Sequence, residues 1–188
     1  LGEVTIDRIL EEYRKYNCPD VVISGGEPTM YASELTILCK KLKKINNDMV
    51  ITVETNGTYY GEFVKNIDLL SISPKLKTSV PHETEYEKMH EKNRINIEVL
   101  RKFRALKEKG KIDVQWKFVF TSENDINEIK ELQNAIGFKN RDVYLMPEGI
   151  TIEDLNKNRM KTIEACKYNQ FNYTDRIHIL VWGNIRGK

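Results

Sequence analysis

The chain has 188 residues and a mass of 22.0 kDa, room for one domain with a substantial core. Lys and Arg total 30 against 28 Asp and Glu, and a net charge of +2 is too weak a field to argue for nucleic acid or a membrane surface as partner. No apolar run approaches the roughly 18 residues of a membrane span and no signal peptide opens the sequence, so a cytoplasmic protein is expected.

In chain order, Ile6, Ile9, Leu10 and Tyr13 have the spacing of an amphipathic helix. A β-prone run over residues 21–24 follows and breaks into Gly25-Gly26-Glu27-Pro28. Leu35, Leu38, Leu42 and Ile45 mark a second helix. Further strands are predicted at 50–54, 69–73, 114–120, 143–146 and 177–182, and further helices at 94–109, 124–136 and 152–168. Residues 77–93 lack clear periodicity and read as a mobile loop, either closing over a ligand or merely decorating the surface. Strand and helix in alternation imply a parallel sheet covered by helices, an α/β fold of barrel or partial-barrel type.

In such sheets ligands sit beyond the carboxyl ends of the strands. Those tails read Ser24-Gly25-Gly26-Glu27-Pro28, Glu54-Thr55-Asn56-Gly57, Ser73-Pro74-Lys75, Met146-Pro147-Glu148-Gly149 and Gly183-Asn184. Each has a dull explanation as a turn or strand terminator. Jointly they describe a pocket rim with both signs of charge, Glu27 and Lys75, suited to a zwitterionic ligand. Gly25 and Gly26 leave the backbone open to a ligand, and Pro28 stiffens the exit.

Cys18, Cys39 and Cys166 have no metal-clip or disulfide spacing, and the last two fall in helical patterns as buried free thiols. His82, His90 and His178 form no ligand set, and His178, on an apolar run read as a strand, is either a core histidine or a substrate contact. No hydrolytic triad and no phosphate-cradling loop occurs.

Ser24 to Pro28, residues 53–58, 71–75 and 143–149, and the stretch from Arg176 to Asn184 resemble, in that order, the radical S-adenosylmethionine (SAM) enzymes of the 7-carboxy-7-deazaguanine synthase family. The resemblance spans nearly the whole chain, and the Ser-Pro-Lys, Met-Pro-Glu-Gly and terminal His-to-Trp-Gly segments make it more specific than the Gly-Gly-Glu-Pro run alone. It implies a radical SAM core without its first strand, in a single, N-terminally incomplete domain over residues 1–188. It implies that Gly25, Gly26, Glu27 and Pro28 meet the methionine part of SAM, that Ser73, Pro74 and Lys75 meet its ribose or carboxylate, and that Met146, Pro147, Glu148 and Gly149 flank the adenosine. Ser24, Glu54, Asn56, His178 and Gly187 are the implied contacts of a 6-carboxy-tetrahydropterin substrate.

The implied reaction is of the carbon-nitrogen lyase type. A reduced 4Fe-4S cluster cleaves SAM, the deoxyadenosyl radical takes hydrogen from the pterin, and the ring contracts with Mg2+ assisting and ammonia lost. A flavodoxin-like electron donor and a homodimer are further family expectations. The family's cluster loop, of Cys-x3-Cys-x2-Cys type, is absent from this chain, which starts at Leu1 and not at Met. The natural protein is therefore expected to extend upstream, and these 188 residues alone are expected not to cleave SAM. Two other readings stay open: another radical SAM enzyme, such as a glycyl-radical activase, and a SAM-binding module without redox function.

Overall fold

The computed structural model describes residues 4–16 and 18–185. Helix α1 (Ile6–Tyr16) leads into β1 (Asp20–Ile23), and α2 (Ala32–Ile45) into β2 (Val50–Thr55). After β3 (Leu69–Ile72) come the short α3 (Glu87–Asn93) and the longer α4 (Ile97–Glu108), then β4 (Asp113–Phe120), α5 (Glu123–Ile136), β5 (Val143–Pro147), α6 (Ile152–Asn169), β6 (Asn172–Tyr173) and α7 (Ile177–Trp182). The six strands pair in parallel and in sequence order, each with its neighbour in the chain. The first and last strands do not meet, so the sheet is not closed into a barrel.

Parallel strands added in order, each by a right-handed crossover, put the connecting helices on one face. Strand alternation then sorts the residues. Ile51, Val53, Leu70, Ile72, Val114, Trp116, Phe118, Val143 and Leu145 point to that face and share one hydrophobic cluster with Leu10, Leu35, Leu42, Leu100, Phe103, Ile129 and Ala165 of the helices. Full burial of a side chain such as Trp116 or Phe118 stabilises by about 1.5–3 kcal/mol or more. The intervening residues Val22, Thr52, Glu54, Gln115, Lys117, Val119, Tyr144 and Met146 face the other way and are only half-buried or exposed.

Caps define the helix starts. Asn96 accepts from the Val99 N–H, so α4 starts later than residue 94. Thr151 and Asp154 cap α6 reciprocally, at 3.1 and 3.2 Å. The expected loop 77–93 carries a 3-10 turn (Lys77–Ser79) and α3. The expected strand over 177–182 is a helix, a correction. Its apolar run was too short to separate strand from helix by periodicity. The sheet edge that precedes it in the chain is only the two-residue β6, too short to template a six-residue strand. A helix closes its own hydrogen bonds, Gly183 N–H donating to the Ile179 carbonyl at 2.9 Å, and buries Ile179 alone.

Candidate functional site

A cleft of about 250 Å³ opens where the strand tails meet the bare face, lined by Ser24, Gly25, Gly26, Glu27, Glu54, Thr55, Asn56, Ser71, Ser73, Lys75, Lys117, Val119, Met146 and Arg176. Residues from five strand tails and from the start of α7 thus converge on one mouth. Gly25 and Gly26 turn with φ of +101° and +26°, which side-chain-bearing residues rarely adopt, and nothing lies within 4 Å of where a Cβ would stand. Main-chain polar groups are bare there.

Glu27 is held by its own chain. Oε1 accepts from the Thr29 N–H at 3.1 Å, the Thr29 hydroxyl, and the Thr55 hydroxyl at 2.6 Å, while Oε2 accepts from the Asn56 N–H at 2.7 Å. The carboxylate ties the tail of β1 to the tail of β2 and retains a free lone-pair direction on Oε2. Asn56 spends its Oδ1 on Thr58, at 2.9 Å to the backbone N–H and 2.6 Å to the hydroxyl. Ser73 is fixed through its N–H to the Thr55 carbonyl at 2.7 Å.

On the bare face, Lys117 Nζ donates to Glu54 Oε1 at 2.6 Å and Ser24 Oγ donates to Glu54 Oε2 at 3.0 Å. Lys117 is on β4 and Glu54 on β2, so the lysine bridges about 10 Å over β3. Burial pushes the Glu54 carboxyl up, but the Lys117 ion pair, Ser24 and nearby His178 outweigh it and hold it below the usual range. Under that bridge Ser71, opposite Glu54 in register and 1% exposed, has a hydroxyl with no hydrogen-bond partner. Arg176 Nε is likewise buried and unpartnered. Desolvation by the cleft walls lowers the Lys75 ammonium pKa; Glu27 opposes this, and Arg176 and Lys117 add to it.

Of the residues singled out in the sequence, Ser24, Gly25, Gly26, Glu27, Glu54, Asn56, Ser73, Lys75 and Met146 line the cleft. Pro28 opens the 3-10 turn beside it, and Pro74 is buried behind Lys75. Pro147 is buried at the end of β5, and Glu148 is exposed with its carbonyl accepting from Asn158 at 2.7 Å. Gly149 has φ of +154°, and a Cβ there would come within 2.7 Å of Asp154 Cβ, so it serves the approach of α6. His178 is exposed on α7 and not on a strand, close enough to Glu54 to act on its charge. Gly187 lies outside the described residues. Sequence reasoning did not single out Lys117, Ser71 or Arg176. A lysine set between Trp116 and Phe118 in β4 was an available signal.

Residues 2–157 match the Radical SAM superfamily. A 7-carboxy-7-deazaguanine synthase of Halobacterium salinarum is 32% identical over 96% of this chain and 72% of its own length, and one of Rhodopirellula baltica is 32% identical over 97% and 69%. The chain belongs to the radical SAM superfamily and, within it, to the 7-carboxy-7-deazaguanine synthase family. A Pyrobaculum aerophilum synthase is 28% identical over 89% of the chain and 67% of its own length. Among solved structures, Streptococcus suis SuiB bound to S-adenosylmethionine has a TM-score of 0.56 at 17% identity, covering 94% of this chain. The chain spans only 43% of that protein, and the likeness is one of fold.

Radical SAM membership implies SAM and a 4Fe-4S cluster as cofactors. The cleft fits SAM: a bare glycine backbone, a carboxylate, an ammonium and an orphaned hydroxyl converge on one small space. The cluster finds no such fit. Among the described residues no three His, Cys, Asp or Glu side chains group to hold a metal, and Mg2+ lacks a ligand set of these side chains for the same reason. Cys39 and Cys166 are buried in α2 and α6, their thiols pushed up by burial to about 12 and about 11. No helix among the described residues is long and apolar enough to cross a membrane.

Proposed function

We propose that this chain binds SAM and a carboxylated tetrahydropterin side by side, as part of an enzyme of the 7-carboxy-7-deazaguanine synthase type that contracts the pterin ring in deazapurine biosynthesis. The observation that carries it is the Ser24–Glu54–Lys117 chain of contacts on the bare sheet face, directly beside the Gly25-Gly26-Glu27 and Ser73-Pro74-Lys75 tails. The backbone of Gly25 and Gly26, with the free lone pair of Glu27, receives the ammonium of SAM. Lys75 faces its carboxylate, Ser73 its ribose, and Met146 with the 147–149 tail its adenosine side. Bound SAM supplies radical chemistry, removal of hydrogen from a carbon with no acidic proton.

Glu54 is the acceptor for the adjacent N–H groups of the aminopyrimidinone edge. Lys117 keeps it ionised and Ser24 fixes its plane, so it arrives oriented and not merely charged. Asn56, His178 and Gly187 complete the substrate contacts in this reading. The lyase assignment, Mg2+, a flavodoxin-like donor, a homodimer, a cytoplasmic location and a single-domain chain belong to the same proposal.

Calorimetric titration of the chain with SAM and, separately, with 6-carboxypterin as a stable stand-in for the substrate tests it. Glu54→Gln is expected to weaken the pterin about tenfold or more, the scale of a lost charge-assisted hydrogen bond, and to leave SAM unchanged. Equal loss of both ligands, or of neither, rejects the assignment. A second reading, a SAM-binding module without redox function, draws support from the dispersed cysteines. A 4Fe-4S signal by electron paramagnetic resonance in the anaerobically reconstituted and reduced full-length protein would exclude it.

A further inference from the structure

Lys75 stands on a stretch that has left the sheet, and two residues outside the cleft hold that stretch. Arg94 Nη1 donates to the Lys75 carbonyl at 2.9 Å and to Glu128 Oε1 at 2.6 Å. Glu128 Oε2 accepts from the Lys77 N–H at 2.9 Å. The backbone on either side of Leu76 is therefore gripped at the carbonyl before it and at the amide after it, by one buried ion pair. Leu76 itself is buried in the core, which stops the segment rolling between the two grips. The far side of the Arg94 guanidinium is occupied by Glu91, at 2.8 and 3.0 Å. The Arg94 and Glu128 side chains are 7% and 12% exposed, and neither residue lines the cleft.

A pair buried to that degree adds little net stability, because desolvating two charges offsets most of their attraction. What it does give is direction: with Nε and Nη2 held in a fork by Glu91, the planar guanidinium aims Nη1 at the Lys75 carbonyl and at Glu128, as an apolar pair of the same size would not. Nearby Asp125 on α5 accepts from the Thr78 hydroxyl at 3.0 Å, so the same helix face also holds the next turn of this segment.

We infer that Arg94 and Glu128 are positioning residues for Lys75, a buried clamp on α5 and the α3–α4 junction that aims the lysine into the cleft and thereby sets affinity for the carboxylate end of SAM. The inference rests on the reading of Lys75 as a SAM contact. A lysine side chain surrenders rotamer freedom when it is immobilised on a ligand, and a fixed base removes the additional cost of ordering the backbone under it.

The test is calorimetric titration of the full chain with SAM and with 5′-methylthioadenosine, which lacks the amino-acid carboxylate. Glu128→Gln keeps the shape and the acceptor for Lys77 but loses the ion pair. It is expected to weaken SAM about five- to tenfold, within the range of measured coupling between neighbours, and to leave methylthioadenosine unchanged. In the Lys75→Ala background Glu128→Gln is expected to cost nothing more, since its effect travels through the lysine. A purely structural role would instead weaken both ligands, or add to Lys75→Ala, and either result overturns the inference. If Lys75→Ala alone leaves SAM binding intact, the reading of Lys75 fails. If Lys75→Ala weakens SAM and Glu128→Gln does not, the clamp fails and that reading survives. Should Glu128→Gln not fold, Arg94→Lys, which keeps the charge and loses the fork, is expected to give the same ligand-selective loss, and its absence is equally decisive.

Discussion

The two faces of the sheet are built from the same strands and obey opposite rules. Along β4, Val114, Trp116 and Phe118 go into the helix-covered core, while Gln115, Lys117 and Val119 come out on the bare side. On β2, Val53 is buried and Glu54 is half-exposed and ion-paired. One face spends its residues on packing and the other leaves polar groups under-satisfied, as with the Ser71 hydroxyl. Neighbouring positions one residue apart therefore answer to stability and to ligand binding independently, since a strand turns alternate side chains to opposite sides.

The sharpest break of this contrast is Trp116→Ala against Lys117→Met. Trp116 is fully buried and stacks on Phe138 at 4.4 Å between ring centroids. Its truncation is expected to cost about 3–5 kcal/mol by urea denaturation. Lys117→Met should change stability by less than about 1 kcal/mol, as for a partly exposed ion pair, yet weaken 6-carboxypterin about tenfold, no more than Glu54→Gln, through which it acts. Similar stability losses for both would erase the distinction between the faces.

Next in size is Glu27→Ala, which strands the Thr29 and Asn56 amides at the junction of the two faces. We expect about 1–3 kcal/mol lost, from unsatisfied donors, together with SAM binding; retention of SAM affinity would reduce Glu27 to a brace. Smaller is a pH effect. Because the Lys75 ammonium deprotonates below the ordinary lysine range, SAM affinity should fall as pH rises toward that range, and the fall should be shallower in Lys75→Ala, where only the amino group of SAM still titrates. For Glu54 the sign is opposite: its folded pKa is depressed, so its contribution to stability is present at neutral pH and disappears as pH falls through that value. The smallest effect is chemical. Cys18 is exposed and should react with a thiol reagent in the native protein, whereas Cys39, pushed to about 12, and Cys166, to about 11, should react only on unfolding.

Much of this was legible without coordinates. Apolar runs ending in Gly25-Gly26, Asn56-Gly57 and Ser73-Pro74 marked the strand tails, although the first of them is an edge strand with Val22 exposed and not a buried one, and the rule that ligands gather at the carboxyl ends brought them to one rim. Lys117 was hidden because its meaning depends on register: only the pairing of β2 with β3 and of β3 with β4 puts it in reach of Glu54. Ser71 looked like any small strand residue until the bridge above it left its hydroxyl without a partner. The segment Ile177–Trp182 misled by composition, its β-branched and aromatic residues fitting a strand, whereas the edge just before it in the chain is a mere two residues long.

The sheet is laid down in the order of the polypeptide, each strand docking on one already made. Such a molecule can assemble from one end during synthesis, without waiting for distant segments to find each other. The binding mouth, however, borrows from the first strand's tail and from Arg176 near the last helix. Within the described residues the mouth is therefore complete only once β1 through β5 have paired and the start of α7 has come down beside them, which makes the site a late event in an otherwise sequential assembly.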